Sequence, residues 1–355
     1  MIASCILRCK QKAKGCYAPD MEIERTAREI DKAQIDTAPP GAMTISIHSS
    51  ARCPDPAAVA ESLLCLVHRV QSEHDLLLIP LRLILVTGNL GEAVSSWQRA
   101  LGLPEAGVSK QTEGVAVGKH MSWGTDRESA RSVIILTDGI AAAIAANEPL
   151  AVAIATVVHE LAHVHDDFAR GLACGFPLPQ APLHLGDWPR ICACVAEITW
   201  SEYAAESLAM GYLTPEDLES FARNDPAYLA GVHTRLRQLV ISYKVGQVGL
   251  PSLWSRCVTD MSDLFAHFGR AAARLPYDQN EDEASDRLVG PIGEAACWKP
   301  VIKRLVHELQ ELGAKNYTEW GAEPFCGLGG LIAPAVEAVG FFPTYNGNNL
   351  HVKVR

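Results

Sequence analysis

Leu150-Ala-Val-Ala-Ile-Ala-Thr-Val-Val158-His159-Glu160-Leu161-Ala162-His163 is an apolar run that ends in two histidines four residues apart. A run of this kind is expected of a helix buried in a domain core. On a helix, positions i and i+4 share a face about one turn apart, so both imidazoles can reach one metal ion. Glu160 stands beside the first histidine, where a carboxylate can take a proton from an attacking water. Two neutral imidazoles and a carboxylate, with one position left open, suit zinc (Zn2+). An idle charged cluster in so apolar a setting is costly unless it is paired or metal-bound. The chain carries its own contrast in Val306-His307-Glu308-Leu309-Gln310-Glu311, where Glu311 replaces the second histidine. That stretch lies among Lys299, Lys303 and Arg304 and reads as an ordinary solvated helix.

Two histidines do not complete a catalytic zinc site. Thr199-Trp-Ser-Glu202-Tyr-Ala-Ala-Glu206-Ser-Leu-Ala-Met210 is rich in helix formers and lies between Pro189 and the Gly211/Pro215 break, so it predicts a second helix. Glu202 and Glu206 share a face there, and like charges at that spacing repel. A metal on Glu202, with Glu206 orienting a ligating histidine, would explain the pair. Two rivals stand beside Glu202 as third ligand. Glu197 is five residues away on a different face, and His184 lies in Leu183-His-Leu-Gly-Asp-Trp188. After the motif, His165 points away from the shared face. Asp167, four after His163, could accept a hydrogen bond from a ligand; Asp166 and Asp167 also fit a solvated helix end.

The chain here resembles the gluzincin clan of zinc peptidases, which pair a His-Glu-x-x-His helix with a glutamate from a following helix. Within it, Glu202-Tyr-Ala-Ala205-Glu-Ser-Leu208-Ala209 looks like the Glu-x-x-Ala-x-x-Phe-Ala signature of the ImmA/IrrE-type intracellular peptidases. The resemblance covers about residues 130 to 212. It implies His159, His163 and Glu202 as ligands, Glu160 as general base, a specific intracellular protein as substrate and a cytoplasmic setting. The chain departs from that pattern at Leu208, Ala162 and a long insert between the two helices. A zincin-fold binding or sensor protein without turnover is the alternative, and a closed structural zinc site a third. Peptide hydrolysis also needs an oxyanion donor; His184, His233, Tyr203, Tyr212 and Tyr243 are candidates.

At 355 residues the chain can form one large domain or two. A net charge of −10 does not favour a nucleic-acid-binding surface. No 18-residue uncharged apolar stretch predicts a membrane span. Eleven scattered cysteines suit reduced thiols, with Cys174, Cys192 and Cys194 read as core residues.

The expected fold is α+β: a small zincin-like sheet packed on the motif helix and a second ligand-bearing helix. Residues 1–42 read as a poorly ordered extension, 43–213 as the catalytic domain, and 214–355 as a mainly helical region ending in a hairpin. Helices are predicted at 54–74 and 91–101, and strands at 76–87, 114–121 and 132–137. Either of the last two strands could be an edge that receives substrate as an added strand. Residues 171–189, with four prolines, form a long connection, and Thr214-Pro-Glu-Asp a helix start. Residues 277–287 read as an acidic loop.

Overall fold

A computed structural model describes residues 4–10, 22–24, 32–37, 42–48, 50–103, 110–111, 114–146, 150–176, 187–275, 281–290, 294–321, 323–345 and 350–355. The chain divides into two compact units, Met1–Pro182 with Gly211–Leu213, and Leu183–Met210 with Thr214–Arg355.

The first unit contains strands β1 (Ser4–Lys10), β2 (Glu22–Glu24), β3 (Ala42–His48), β4 (Leu81–Thr87), β5 (Lys110–Gln111), β6 (Gly114–Val115), β7 (Gly118–Trp123) and β8 (Arg131–Thr137). Its helices are α1 (Lys32–Thr37), α2 (Pro56–His74), α3 (Leu90–Ala100), α4 (Asp138–Ile144) and α5 (Ala151–Cys174). Six strands form one sheet in the order β2-β1-β3-β4-β8-β7. The β3, β4 and β8 strands run parallel, joined by helical crossovers, and β7 is antiparallel to β8. The Leu-Arg-Leu-Ile-Leu-Val-Thr run of β4 is buried at every position, as a strand covered on both faces requires. Alternation divides the side chains of β4 and β8: Leu83, Leu85, Val133 and Ile135 pack with Leu90, Val94 and Trp97 of α3.

The edge of this sheet beside β8 is β7, so β8 is an interior strand and only the earlier of the two predicted edge candidates is an edge. The expectation for residues 1–42 is also altered. β1 pairs with β3 from Ser4↔His48 to Lys10↔Ala42, satisfying backbone groups that β3 would otherwise leave open. Residue ends are well capped where the sequence signals them: Asp55 accepts from Ala58 N at 3.1 Å and Asn89 from Glu92 N at 3.3 Å.

The second unit contains α6 (Trp188–Ala209), α7 (Pro215–Lys244), α8 (Leu250–Ala273), α9 (Glu281–Val289), α10 (Lys299–Gly313), α11 (Cys326–Gly329), α12 (Ile332–Ala338) and the antiparallel hairpin β9 (Phe341–Tyr345) and β10 (Leu350–Val354). The second predicted helix therefore belongs to the helical unit. Its Ile191, Val195, Ala196 and Trp200 join Leu236, Phe265, Phe268, Trp298 and Leu305 in one core. α6 and α8 approach closely because Gly269 has no side chain; a Cβ there would lie 2.3 Å from the Thr199 carbonyl oxygen. Thr214 and Asp217 close a reciprocal capping box at the start of α7, which continues through Pro226. The acidic segment expected as a loop is largely α9: Ala284, Leu288 and Val289 are buried, while Asp282 pairs with Lys303 at 2.8 Å.

Cys174 is exposed at the end of α5, and Cys192 and Cys194 are half-buried, so none of the three is a core residue. Among the described residues, the buried thiols are Cys53 and Cys257, and burial pushes the Cys257 thiol up. Among the described residues, no helix is long and apolar enough to cross a membrane.

Candidate metal centre

The α5 helix carries the motif through its interior, where its backbone bonds are satisfied and ligand spacing is fixed. His159 is half-buried, and His163 and Glu160 are buried. The His159 and His163 Nε2 atoms lie 3.1 Å apart, with the rings edge-to-face at 85°. Two nitrogens bound to one tetrahedral zinc at about 2.0–2.1 Å sit about 3.3 Å from each other. The donor pair therefore fits such an ion with little rearrangement.

Glu160 faces the edge strand. A Cβ added at Gly118 would lie 2.7 Å from Glu160 Oε1, so the glycine makes room for the carboxylate. Two residues along β7, on the same face, the His120 ring stacks on that of His163 at 5.8 Å and 9°. His120 Nε2 lies 2.6 Å from Ser122 Oγ and 3.8 Å from Asp167 Oδ2. Burial is the main reason that the His120 pKa falls to about 3, with Lys119 adding to it. His120 has no place in the sequence motif. Its signal is the two-residue alternation of Gly118 and His120, which has meaning only once β7 is laid against α5.

The Asp167 carboxylate accepts a hydrogen bond from Arg170 Nη2 at 2.8 Å, as well as facing His120. Asp166, buried rather than solvated, lies 3.5 Å from Arg170 Nε. His165 turns away as its position requires, and its Nδ1 accepts a hydrogen bond from Leu77 N at 3.0 Å.

On α6, Glu202 is half-buried and Glu206 buried. Each faces an arginine of α8: Glu202 Oε2 is 2.7 Å from Arg270 Nη1, and Glu206 Oε1 is 3.1 Å from Arg274 Nε. Burial works against the Arg270 charge, but Glu202 beside it outweighs that and its pKa is raised. Repulsion between the two carboxylates is thus relieved by an arginine ladder at the same four-residue spacing. The pair does not need a metal to explain it.

His159, His163 and Glu202 form the group of metal-ligating side chains, among the described residues, that could hold an ion. Glu197 is half-buried on α6 and is not in that group, and His184 lies outside the described residues. Other polar candidates have structural partners. His233 is buried and its Nδ1 accepts from Trp298 Nε1 at 3.1 Å, while Tyr212 donates to Glu73 at 2.7 Å. Tyr203 packs on Trp200, and Tyr243 lies against the helical core.

No protein-family model matches this chain, and comparison with curated proteins and with solved structures gives no match.

Proposed function

We propose that the chain is a zinc-dependent peptidase of zincin-like architecture. The observation that carries this reading is the 3.1 Å separation of the His159 and His163 Nε2 atoms beside the buried Glu160 carboxylate. The antiparallel edge strand β7 running along α5 supports the zincin-like comparison, since such an edge can take an extended peptide as an added strand.

In this reading His159, His163 and Glu202 hold the metal. Bound zinc lowers the pKa of water to about 7 and polarises a carbonyl. Glu160 takes the proton of the attacking water and delivers it to the leaving amine. Its burial against Gly118 keeps the carboxylate aimed, with little freedom to swing into solvent. The expected substrate is a protein or peptide, in keeping with the resemblance to intracellular peptidases.

A non-catalytic binding or sensor role is the second reading, favoured by one observation: Arg270 already satisfies Glu202. Glu160→Gln separates the two. The peptidase reading expects that variant to keep its zinc and to lose cleavage of a mixed fluorogenic peptide library by about 10²–10⁴-fold. Undiminished cleavage by Glu160→Gln would remove the mechanism. Zinc binding by the wild type without cleavage of that library or of cell-extract proteins would favour the binding role.

A further inference from the structure

We propose that His120 is a positioning residue of the metal centre, holding the plane in which His163 presents Nε2. The inference rests on the metal-site reading above. Both rings belong to the first unit, and they stack nearly parallel, 5.8 Å apart at 9°. His120 is not among the described residues whose ligand atoms converge with those of His159 and His163. It acts instead as a wall against one face of the ligand. His159 meets His163 edge-to-face at 4.7 Å. His163 therefore has an aromatic neighbour in two different orientations, which restricts rotation about its side-chain bonds.

His120 is itself fixed. Its backbone lies in the β7–β8 ladder opposite Ile134. Its Nε2 is 2.6 Å from Ser122 Oγ, and Ser122 Oγ is 2.7 Å from Ser132 Oγ of β8. On the other side, Asp167 lies 3.8 Å from the same Nε2 and is held by Arg170 at 2.8 Å. The edge strand thereby becomes part of the metal site as well as a boundary of the sheet. A ligand oriented before the ion arrives loses less freedom on binding, and supporting residues of this kind typically change metal affinity by 10–100-fold.

The test is zinc affinity, by competition with a chromophoric chelator, together with the visible spectrum of the cobalt(II)-loaded protein. His120→Ala is expected to weaken zinc by about 10–100-fold and to shift the cobalt bands, because the His163 ring is no longer held. His120→Phe keeps a flat ring and is expected to restore both. If His120→Ala fails to fold, His120→Leu, with similar bulk and no flat face, takes its place. Unchanged affinity and spectrum in a wild-type protein that does bind zinc would overturn the role of His120 and leave the metal site standing. Equal losses in His120→Phe and His120→Ala would overturn stacking as the cause. A wild type that binds neither ion would remove the site and this inference together.

Discussion

Gly118 on the edge strand leaves room for the Glu160 carboxylate and for nothing larger than a hydrogen atom: a Cβ would stand 2.7 Å from Glu160 Oε1 and 3.1 Å from its Cγ. The obstructed atoms are the end of a side chain, so Gly118→Ala should displace Glu160 without unfolding the sheet. Cleavage should fall about tenfold, equivalent to roughly 1.4 kcal/mol of barrier, while zinc content stays at the wild-type level. Parallel assays of metal content and peptide turnover check this; full turnover would show that Glu160 does not act from this position.

Gly269 meets the backbone of α6, which cannot swing aside as a side chain can. A Cβ there would be 2.3 Å from the Thr199 carbonyl oxygen and 3.2 Å from Tyr203 N. Gly269→Ala should destabilise the helical unit by about 1–3 kcal/mol. At roughly 2–4 °C per kcal/mol, thermal unfolding followed by circular dichroism should show a clear drop in Tm. An unchanged Tm would mean that α6 and α8 are not packed so closely.

His267 gives the helical unit an acid sensitivity. Its Nε2 is 3.0 Å from Asp225 Oδ1, its ring stacks on Tyr228 at 4.0 Å, and Arg270 and Arg274 face it. Burial outweighs the Asp225 attraction and holds its pKa below 6.5. The unfolded chain therefore takes the proton first, and stability is lost as pH falls below about 6.5. Denaturant midpoints at pH 7.5 and 5.5 should show a smaller drop for His267→Gln than for the wild type. Equal drops would place the sensitivity elsewhere.

Removing the metal should lower stability by linkage. An ion at 100 times its Kd contributes about 2.7 kcal/mol to the folded state. A chelator should lower the wild-type Tm and leave that of His163→Ala unmoved. A chelator effect of the same size in both proteins would point to a different ion site.

The parts legible in the sequence are those set by local periodicity. The α5 motif depends on one helical turn, the α7 capping box on a three-residue spacing, and β4 on the apolar run from Leu83 to Val86. What was not legible depends on contacts between distant residues. Nothing near Trp200 states that its helix will pack on Phe265 and Phe268, so α6 falls outside the unit that sequence order suggests. The partners of Glu202 and Glu206 are 68 residues away at Arg270 and Arg274, where no motif marks them. His120 was hidden for the same reason, as a strand residue that acquires a role by lying against a helix. The acidic residues of α9 suggested a loop because its buried Ala284 and Leu288 are too few to make a strong pattern.

The most direct test of the metal site is elemental mass spectrometry on the purified protein and on Glu202→Ala, Glu197→Ala and His184→Ala, with circular dichroism to establish that each is folded. About one zinc per wild-type chain is expected, lost with Glu202→Ala and kept in the other two. Loss with His184→Ala while Glu202→Ala keeps its zinc would contradict the assigned ligand set. A wild type with no zinc, even after reconstitution, would contradict the site altogether.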